Sequence, residues 1–482
     1  MPEGKIMKTN RRDFLKISSA GAIAVLGGFS LGFGGNTAQT TMKKGAASLK
    51  EGTGVSPGNQ PNIIFILIDD QRWDHLSCMG HPFLKTPNMD RLAQEGVHFT
   101  NAFCTTSLCS PSRASFLTGK YAHNHGVKDN LTPWDNNRNQ IFFENLKKAG
   151  YRNGFIGKWH MPGKIPRLDS VDRFITFDAN GGQGRYFNCP LIIDGKTVER
   201  QGTYITEDLT SYALDFIGEK SDKPFCLYLS HKAIHSPWKP PREFDSLYEN
   251  TDLSFLPREY YSFINMQGGK QNEGGAPYTT EHNYRKYCET LFALDRQIGR
   301  VLTELDRKGI ADNTIVIFAS DNGYSWGEKM DVGKRDATEE NLRIPFIVRY
   351  PRGISEPGRR SDAMILNIDL APTILDAAGA APLRNCDGLS IMPLLRNTTK
   401  GIRTSFLYEY FKDFPYNVPE QYAVRTDRYL YVVYKGRRKP ALFNIQNDRR
   451  TLHNIINTDE GKKVLPEMQF LLKNYLGGSN NG

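Results

Sequence analysis

Between Asn62 and Ile68 the chain runs Asn-Ile-Ile-Phe-Ile-Leu-Ile, apolar at every position after the first. A strand with one wet face alternates. An unbroken run of β-branched and aromatic residues predicts a strand buried on both faces. Shorter runs at Phe225–Leu229, Thr314–Ala319 and Phe346–Val348 read the same way, and Val97–Phe103 reads as a further strand. Helical spacing separates them, around Phe143–Ala149, Tyr204–Ile217 and Tyr284–Lys308. Thr86-Pro87 opens another helix as a cap followed by a first-turn proline, and Gly96 ends it. Strands alternating with helices predict an α/β fold, a large parallel or mixed sheet sandwiched by helices.

The pattern changes after residue 400. Ser405–Tyr410, Gln421–Arg425, Tyr429–Tyr434 and Ala441–Ile445 are short strands joined by polar turns, and a helix from Asp459 to Tyr475 follows. This predicts a small C-terminal antiparallel sheet with one helix. Residues 39–60 lack periodicity and read as a linker. The expected organisation is a leader over 1–38, the linker 39–60, a catalytic domain 61–400 and a C-terminal α+β subdomain 401–482. The leader carries Arg11-Arg12, then an apolar stretch from Ile17 to Phe33 broken by Gly21, Gly27, Gly28 and Gly32. That stretch falls short of a membrane span. The pattern looks like a twin-arginine signal, with Asn36-Thr37-Ala38 as a cleavage site, so the expectation is export to the periplasm or the exterior.

Composition adds little: 39% hydrophobic and 24% charged residues describe a globular protein without a membrane span. The net charge of +10 suits an anionic substrate, or is simply solvated surface charge. No basic block or motif points to nucleic acid. Seven cysteines at scattered spacings form neither a zinc module nor a dense disulfide framework.

The candidate chemistry sits at strand ends. Asp69-Asp70 follows the first strand and Asp321-Asn322 follows Thr314–Ala319, so both pairs can meet at one edge of the sheet. Four oxygen donors without Cys or His suit a hard cation, Ca²⁺ or Mg²⁺; the plainer reading of either pair alone is a turn or helix cap. In Cys109-Ser110-Pro111-Ser112-Arg113, Ser110 reads as an N-cap and Pro111 as the first helical residue. Cys109 would then lie just ahead of a helix N-terminus, where anions are favoured, or be a buried thiol. Further motifs are Tyr121-Ala122-His123-Asn124-His125-Gly126, Gly157-Lys158-Trp159-His160, Ser230-His231-Lys232-Ala233-Ile234-His235-Ser236-Pro237, and Gly333-Lys334-Arg335 ahead of Arg343-Ile344-Pro345-Phe346.

In this order over residues 60–350, these segments resemble the type I, formylglycine-dependent sulfatases. The run from Leu108 to Val127 is similar to N-acetylglucosamine-6-sulfatases and related glycan sulfatases. The resemblance implies an alkaline-phosphatase-like fold. It also implies that a sulfatase-maturating enzyme oxidises Cys109 to formylglycine, whose hydrate is the nucleophile, and that calcium is held by Asp69, Asp70, Asp321, Asn322 and residue 109. Lys158 and Lys334 would grip the sulfate and Arg113 would orient residue 109; Lys120 and His123, near it in sequence, are read as supporting it by hydrogen bonds. His235 would bind substrate and act as general acid, with His160 as base. By residue type rather than by the resemblance, Trp238, Lys239 and Arg242, just after the His235 motif, suit sugar subsites, with core packing and solvated charge as the plainer reading, and Glu409 and Tyr410 of the C-terminal subdomain are read as reaching the cleft. His125 and His231 read as structural. The expected substrate is a sulfated oligosaccharide or polysaccharide, with a primary-position sugar O-sulfate as the specific case. Two other functions stay open. One is a phosphomonoester or phosphonate monoester hydrolase of the same superfamily, several of whose members carry Asp-His where this chain has Asp321-Asn322. The other is a non-catalytic binder of sulfated glycans.

Overall fold

A computed structural model describes residues 60–256, 280–330 and 332–477. The leader 1–38 and all but the last residue of the linker lie outside the described residues. The main sheet has ten strands: β1 (Asn62–Ile68), β2 (Val97–Phe99), β3 (Arg152–Gly157), β4 (Arg173–Thr176), β5 (Leu191–Ile193), β6 (Lys196–Val198), β7 (Phe225–Ser230), β8 (Thr314–Ser320), β9 (Phe346–Arg349) and β10 (Arg359–Ser361). Their order is β10-β2-β9-β8-β1-β7-β3-β4-β5-β6. The centre, from β8 to β4, is parallel, and β9 runs against β8, so the sheet is mixed.

The continuous apolar run of β1 is explained by its two neighbours. Ile63, Phe65 and Leu67 pack with α2 (Cys109–Thr118), α3 (Phe142–Lys148) and α6 (Leu370–Ala378) on one side. Ile64, Ile66 and Ile68 pack with α1 (Pro87–Gln94), α4 (Ile205–Gly218) and α5 (Thr280–Arg307) on the other. All six side chains are fully buried, each contributing about 1.5–3 kcal/mol of transfer free energy.

Some elements differ in detail from the sequence reading. Val97–Phe103 is interrupted, with β2 ending at Phe99 and a separate two-residue strand at Ala102–Phe103. Thr86 makes no side-chain cap to α1; Asp295 of α5 accepts the Asn88 and Met89 amides instead, at 3.1 and 2.8 Å. Helix α2 begins at Cys109, ahead of the expected start. Pro111 is tolerated in that first turn because the amides there have no intrahelical partner.

The C-terminal sheet has the order β11 (Ser405–Tyr410), β12 (Gln421–Thr426), β13 (Tyr429–Tyr434), β14 (Ala441–Asn444), antiparallel throughout. One face, with Phe406, Tyr408 and Tyr410, packs on Phe103, Leu108 and Leu366 of the main domain. The other is covered by α7 (Asp459–Gly477) through Met468 and Leu472. Among the described residues no helix is long and apolar enough to cross a membrane.

Candidate active site

Parallel register brings the carboxyl ends of four strands to one edge. Ile68 lies opposite Ser320, Leu67 opposite Ser230, and Gly157 opposite Ser230. The ladder continues past the strands: Asp69 donates its amide to Ala233 O at 3.0 Å, Asp321 to Ile68 O at 3.0 Å, and Lys158 to Ser230 O at 2.8 Å. The residues following each strand are thereby fixed against one another. Gly157 is required here: its φ is +121°, and a Cβ would stand 1.8 Å from Ser230 O. Asp70 (φ 64°) and His160 (φ 49°) hold left-handed backbone, a strain of about 1–3 kcal/mol each of the kind concentrated at functional sites.

Helix α2 enters this edge with Cys109 in its first turn, fully buried. Its Sγ is 3.3 Å from Asp69 Oδ1 and 2.8 Å from Lys334 Nζ. Ser110 does not cap the helix. Its hydroxyl donates to His160 O at 2.5 Å, and Ser112 Oγ donates to Asp321 O at 2.5 Å, so the helix is bolted to two loops of the site. Arg113, 1% exposed, places Nη2 2.8 Å from Asp321 and 3.4 Å from Asp69, while Nη1 donates to Ser230 Oγ at 2.6 Å and Lys158 O at 3.0 Å. Lys158 bonds Asp69 Oδ2 and Lys334 bonds Asp70 Oδ1. Three buried carboxylates thus face three buried cations. His235 Nε2 stands 3.9 Å from Asp70, and its Nδ1 donates to Ser236 O at 2.6 Å.

Asp69, Asp70 and Asp321 bring carboxylate oxygens within 4.8 Å of one another. Asn322 commits its Nδ2 to Asp70 Oδ1 (2.7 Å) and Gly323 O (2.8 Å), leaving Oδ1 buried with no hydrogen-bond partner. Carboxylates around an orphaned amide oxygen are a donor set that fits Ca²⁺ or Mg²⁺.

Electrostatics sort the groups. Burial acts to raise Asp69, but Lys158, His235, Arg113 and Lys334 together hold it well below the usual carboxylate range. Burial and the neighbouring Asp69 push Asp321 up to about 7 against Arg113 and Lys334. Burial, with Asp69 adding to it, pushes the Cys109 thiol up to about 12, so the unmodified thiol is protonated at neutral pH and is a poor nucleophile. Burial draws His235 down to about 3, and burial with the nearby Lys158 holds His160 well below 6.5.

Other expected residues sit elsewhere. Lys120 follows the C-terminal end of α2, about 15 Å along the axis from Cys109 at 1.5 Å per residue. His123 bonds Glu409 of β11 through both its amide (2.8 Å) and Nδ1 (2.9 Å) and stacks on Tyr121. Neither bonds residue 109, so the expected support of Cys109 by Lys120 and His123 is replaced by Lys334 and Asp69. Glu409 reaches His123, and Tyr410 is buried beneath the C-terminal sheet. Trp238 packs against Tyr287, Tyr324 and Trp326 and lines a separate cleft of about 800 Å³ with Lys239 and Arg242. His125 is satisfied by Ser115 Oγ and the Val127 amide, and His231 is 1% exposed with neither ring nitrogen bonded, both as structural histidines.

Two groups went unread in the sequence. Gln183 Oε1 accepts from Lys158 Nζ at 2.6 Å, which leaves its amide nitrogen to donate to His160 Nε2 at 2.8 Å. The signal for it is the run Gly181-Gly182-Gln183-Gly184, whose three glycines all have positive φ. Lys232 is 1% exposed, its Nζ 4.6 Å from the Tyr186 ring centre, and burial draws it down to about 7.

Comparison with known proteins gives a consistent set. The family profile described as Sulfatase matches residues 61–380, and one described as N-sulphoglucosamine sulphohydrolase, C-terminal, matches residues 327–476. An N-acetylglucosamine-6-O-sulfatase of Bacteroides thetaiotaomicron is 31% identical, covering 86% of this chain and 86% of that protein. The human N-acetylglucosamine-6-sulfatase is 30% identical over 74% of this chain and 68% of its own length. A solved structure of a protein in complex with its substrate D-glucosamine-2-N,6-O-disulfate superposes with a TM-score of 0.78 at 29% identity, covering 88% of this chain and 99% of that one.

Proposed function

The chain belongs to the sulfatase family, and on that premise we propose that it hydrolyses a sulfate ester of a sulfated glycan, at the 6-position of a glucosamine unit. The observation that carries this reading is the meeting of residue 109 with Lys158, Lys334 and Arg113 over three buried carboxylates. The 6-O-sulfated glucosamine follows the names of the relatives and the ligand of the solved neighbour.

Asp69, Asp70, Asp321 and Asn322, with residue 109, would hold Ca²⁺. When bound, the ion supplies charge stabilisation to the sulfuryl oxygens. Oxidation of Cys109 to formylglycine supplies a hydrate hydroxyl as nucleophile, in place of a thiol that stays protonated at neutral pH. Because Cys109 is 0% exposed, a sulfatase-maturating enzyme must act before this part of the chain folds.

The chain's own groups do the rest. Lys158 and Lys334 present ammonium groups to the sulfate and oppose the charge that develops on its oxygens. Arg113, held by hydrogen bonds to Lys158 O and Ser230 Oγ and by ion pairs with Asp321 and Asp69, fixes the first turn of α2 and with it residue 109. His235 commits Nδ1–H to Ser236 O, so Nε2 is the atom that carries a proton to the leaving oxygen. Burial, with Lys158 and Lys334, holds His235 neutral at rest; Asp69 and Asp70 act against them, and an arriving anionic ester adds to the pull toward the imidazolium that proton donation requires. His160 is kept neutral by burial and Lys158, which suits a base, and Gln183 holds its Nε2 lone pair at rest. The all-oxygen donor set, with Asn322 and no histidine, favours a sulfatase over the phosphate and phosphonate hydrolases of the superfamily.

The test is sulfate release by the matured protein from glucosamine 6-sulfate and from a panel of defined sulfated saccharides, beside matched aryl sulfate and aryl phosphate esters. Preference for the aryl phosphate, or release from no sulfated sugar, would refute the assignment. Export through the twin-arginine signal is part of the proposal. Changing Arg11 and Arg12 together to Lys should retain the protein in the cytoplasm.

A further inference from the structure

Arg343 lies at the floor of a second cavity, of about 520 Å³, that shares no lining residue with the catalytic cluster. The cavity opens between Thr100 and Asn101, which follow β2, and Arg425 and Gln446 of the C-terminal subdomain. Arg343 is 4% exposed, and its guanidinium lies 3.9 Å from the Trp73 ring centre. Its Nε and Nη2 both donate to one carbonyl, Thr100 O. Among the described residues no carboxylate oxygen comes within 4.0 Å of it. A guanidinium has five N–H donors, and this one spends two.

Two other arginines of the same walls are already neutralised. Arg425 is paired with both oxygens of Glu339 (3.1 and 3.3 Å), and Arg403 with Asp369 (2.7 Å). Among the described residues Lys400 and Arg449 line the cavity without an acidic partner, and Lys400 bonds the Asn397 amide oxygen. The remaining acids of the lining, Asp362 and Asp427, are exposed. Burying a cation without a counter-charge costs several kcal/mol, and an anion in the cavity relieves that cost. Burial already draws Arg343 down to about 10, with Arg449 and Arg425 reinforcing it against Glu339.

We propose that this cavity is a second, non-catalytic site for a tetrahedral oxyanion, with Arg343 as its floor and Lys400 and Arg449 as its rim. The ligand is a sulfate group, either free or carried on another sugar of a polymeric chain. The site rests on the cavity and its unpaired cations and does not depend on the catalytic reading.

The test is calorimetric titration of the full-length chain carrying Cys109→Ala, at fixed ionic strength, with sodium sulfate in one arm and glucosamine 6-sulfate in the other. Two binding equivalents are expected in at least one arm. Saturation by sodium sulfate identifies the free anion as sufficient; a second equivalent only with the sugar identifies the glycan. Adding Lys400→Glu and Arg449→Glu, both at exposed positions, should remove one equivalent and leave the other affinity within about twofold. Adding Lys158→Ala instead should leave the Arg343 equivalent intact. Selenate soaked into crystals should give an anomalous peak beside Arg343. The proposal is overturned if neither probe binds a second equivalent, if the double glutamate variant keeps both, or if Lys158→Ala abolishes all binding.

Discussion

Arg113→Met removes the guanidinium and keeps most of the side-chain volume. The wild-type group is 1% exposed, and among the described residues it is the only cation within ion-pair distance of Asp321. Asp69 keeps Lys158 and Lys334. Above Asp321's raised pKa of about 7, where its carboxylate is ionised, the change therefore strands one buried carboxylate, so the comparison is made near pH 9. Breaking a buried pair this way costs about 3–5 kcal/mol. Counting the roughly 390 described residues at about 2.1 cal/mol/K each, the unfolding entropy is about 0.8 kcal/mol/K, so the melting temperature should fall by about 4–6 °C. Scanning calorimetry in chelator measures this. Two companion measurements separate charge from packing. Adding Asp321→Asn to Arg113→Met should restore most of the loss, because the stranded charge is gone. Calcium should restore part of it in the single variant, because a cation at the same carboxylates supplies the missing charge. A shift under 1 °C, or a double variant whose loss is the sum of the two singles, would refute the reasoning.

Three further outcomes follow from the same geometry. His235→Ala should lower kcat on an unactivated sugar sulfate by about 10²–10⁴-fold, and by much less on an aryl sulfate whose leaving group needs no proton; equal losses on both would remove His235 as the acid. Gly157→Ala should abolish activity and destabilise the fold, since its Cβ would meet Ser230 O at 1.8 Å and displace Lys158; wild-type turnover in the variant would contradict the close approach. In the cation-free protein Asp321 has a folded pKa raised to about 7, so the native state holds an extra proton between about pH 4 and 7 and stability falls as pH rises through that window. Thermal melts in chelator should show that slope, and Asp321→Asn should flatten it; an unchanged slope in the variant would place the titration elsewhere.

The parts legible in the sequence are those whose burial leaves a compositional mark. β1, β7 and β8 are apolar throughout because helices cover both faces, and that pattern put Asp69 and Asp321 at one sheet edge. β3 was hidden because its special positions are not β-formers. Gly154 makes room for the Phe216 ring, Gly157 for Ser230 O, and Asn153 spends its buried amide on Phe143 O and Ser170 O. The start of α2 was misplaced because Ser110 and Ser112 use their hydroxyls to hold neighbouring loops, a choice set by tertiary contacts. His123 was drawn toward Cys109 by nearness in sequence, yet its partner, Glu409, is 286 residues away on the C-terminal sheet. Gln183 carries no motif; only the glycine turn around it marks a place where the backbone is bent to present a side chain.

The account turns on residue 109 as the reacting group. Its most direct test couples peptide mass spectrometry to turnover on glucosamine 6-sulfate, comparing chain produced with and without a sulfatase-maturating enzyme. Sulfate release should scale with the fraction of residue 109 in which one sulfur is replaced by oxygen and two hydrogens are lost, and should vanish in Cys109→Ala. Full turnover from a chain whose residue 109 is entirely unmodified cysteine would contradict it.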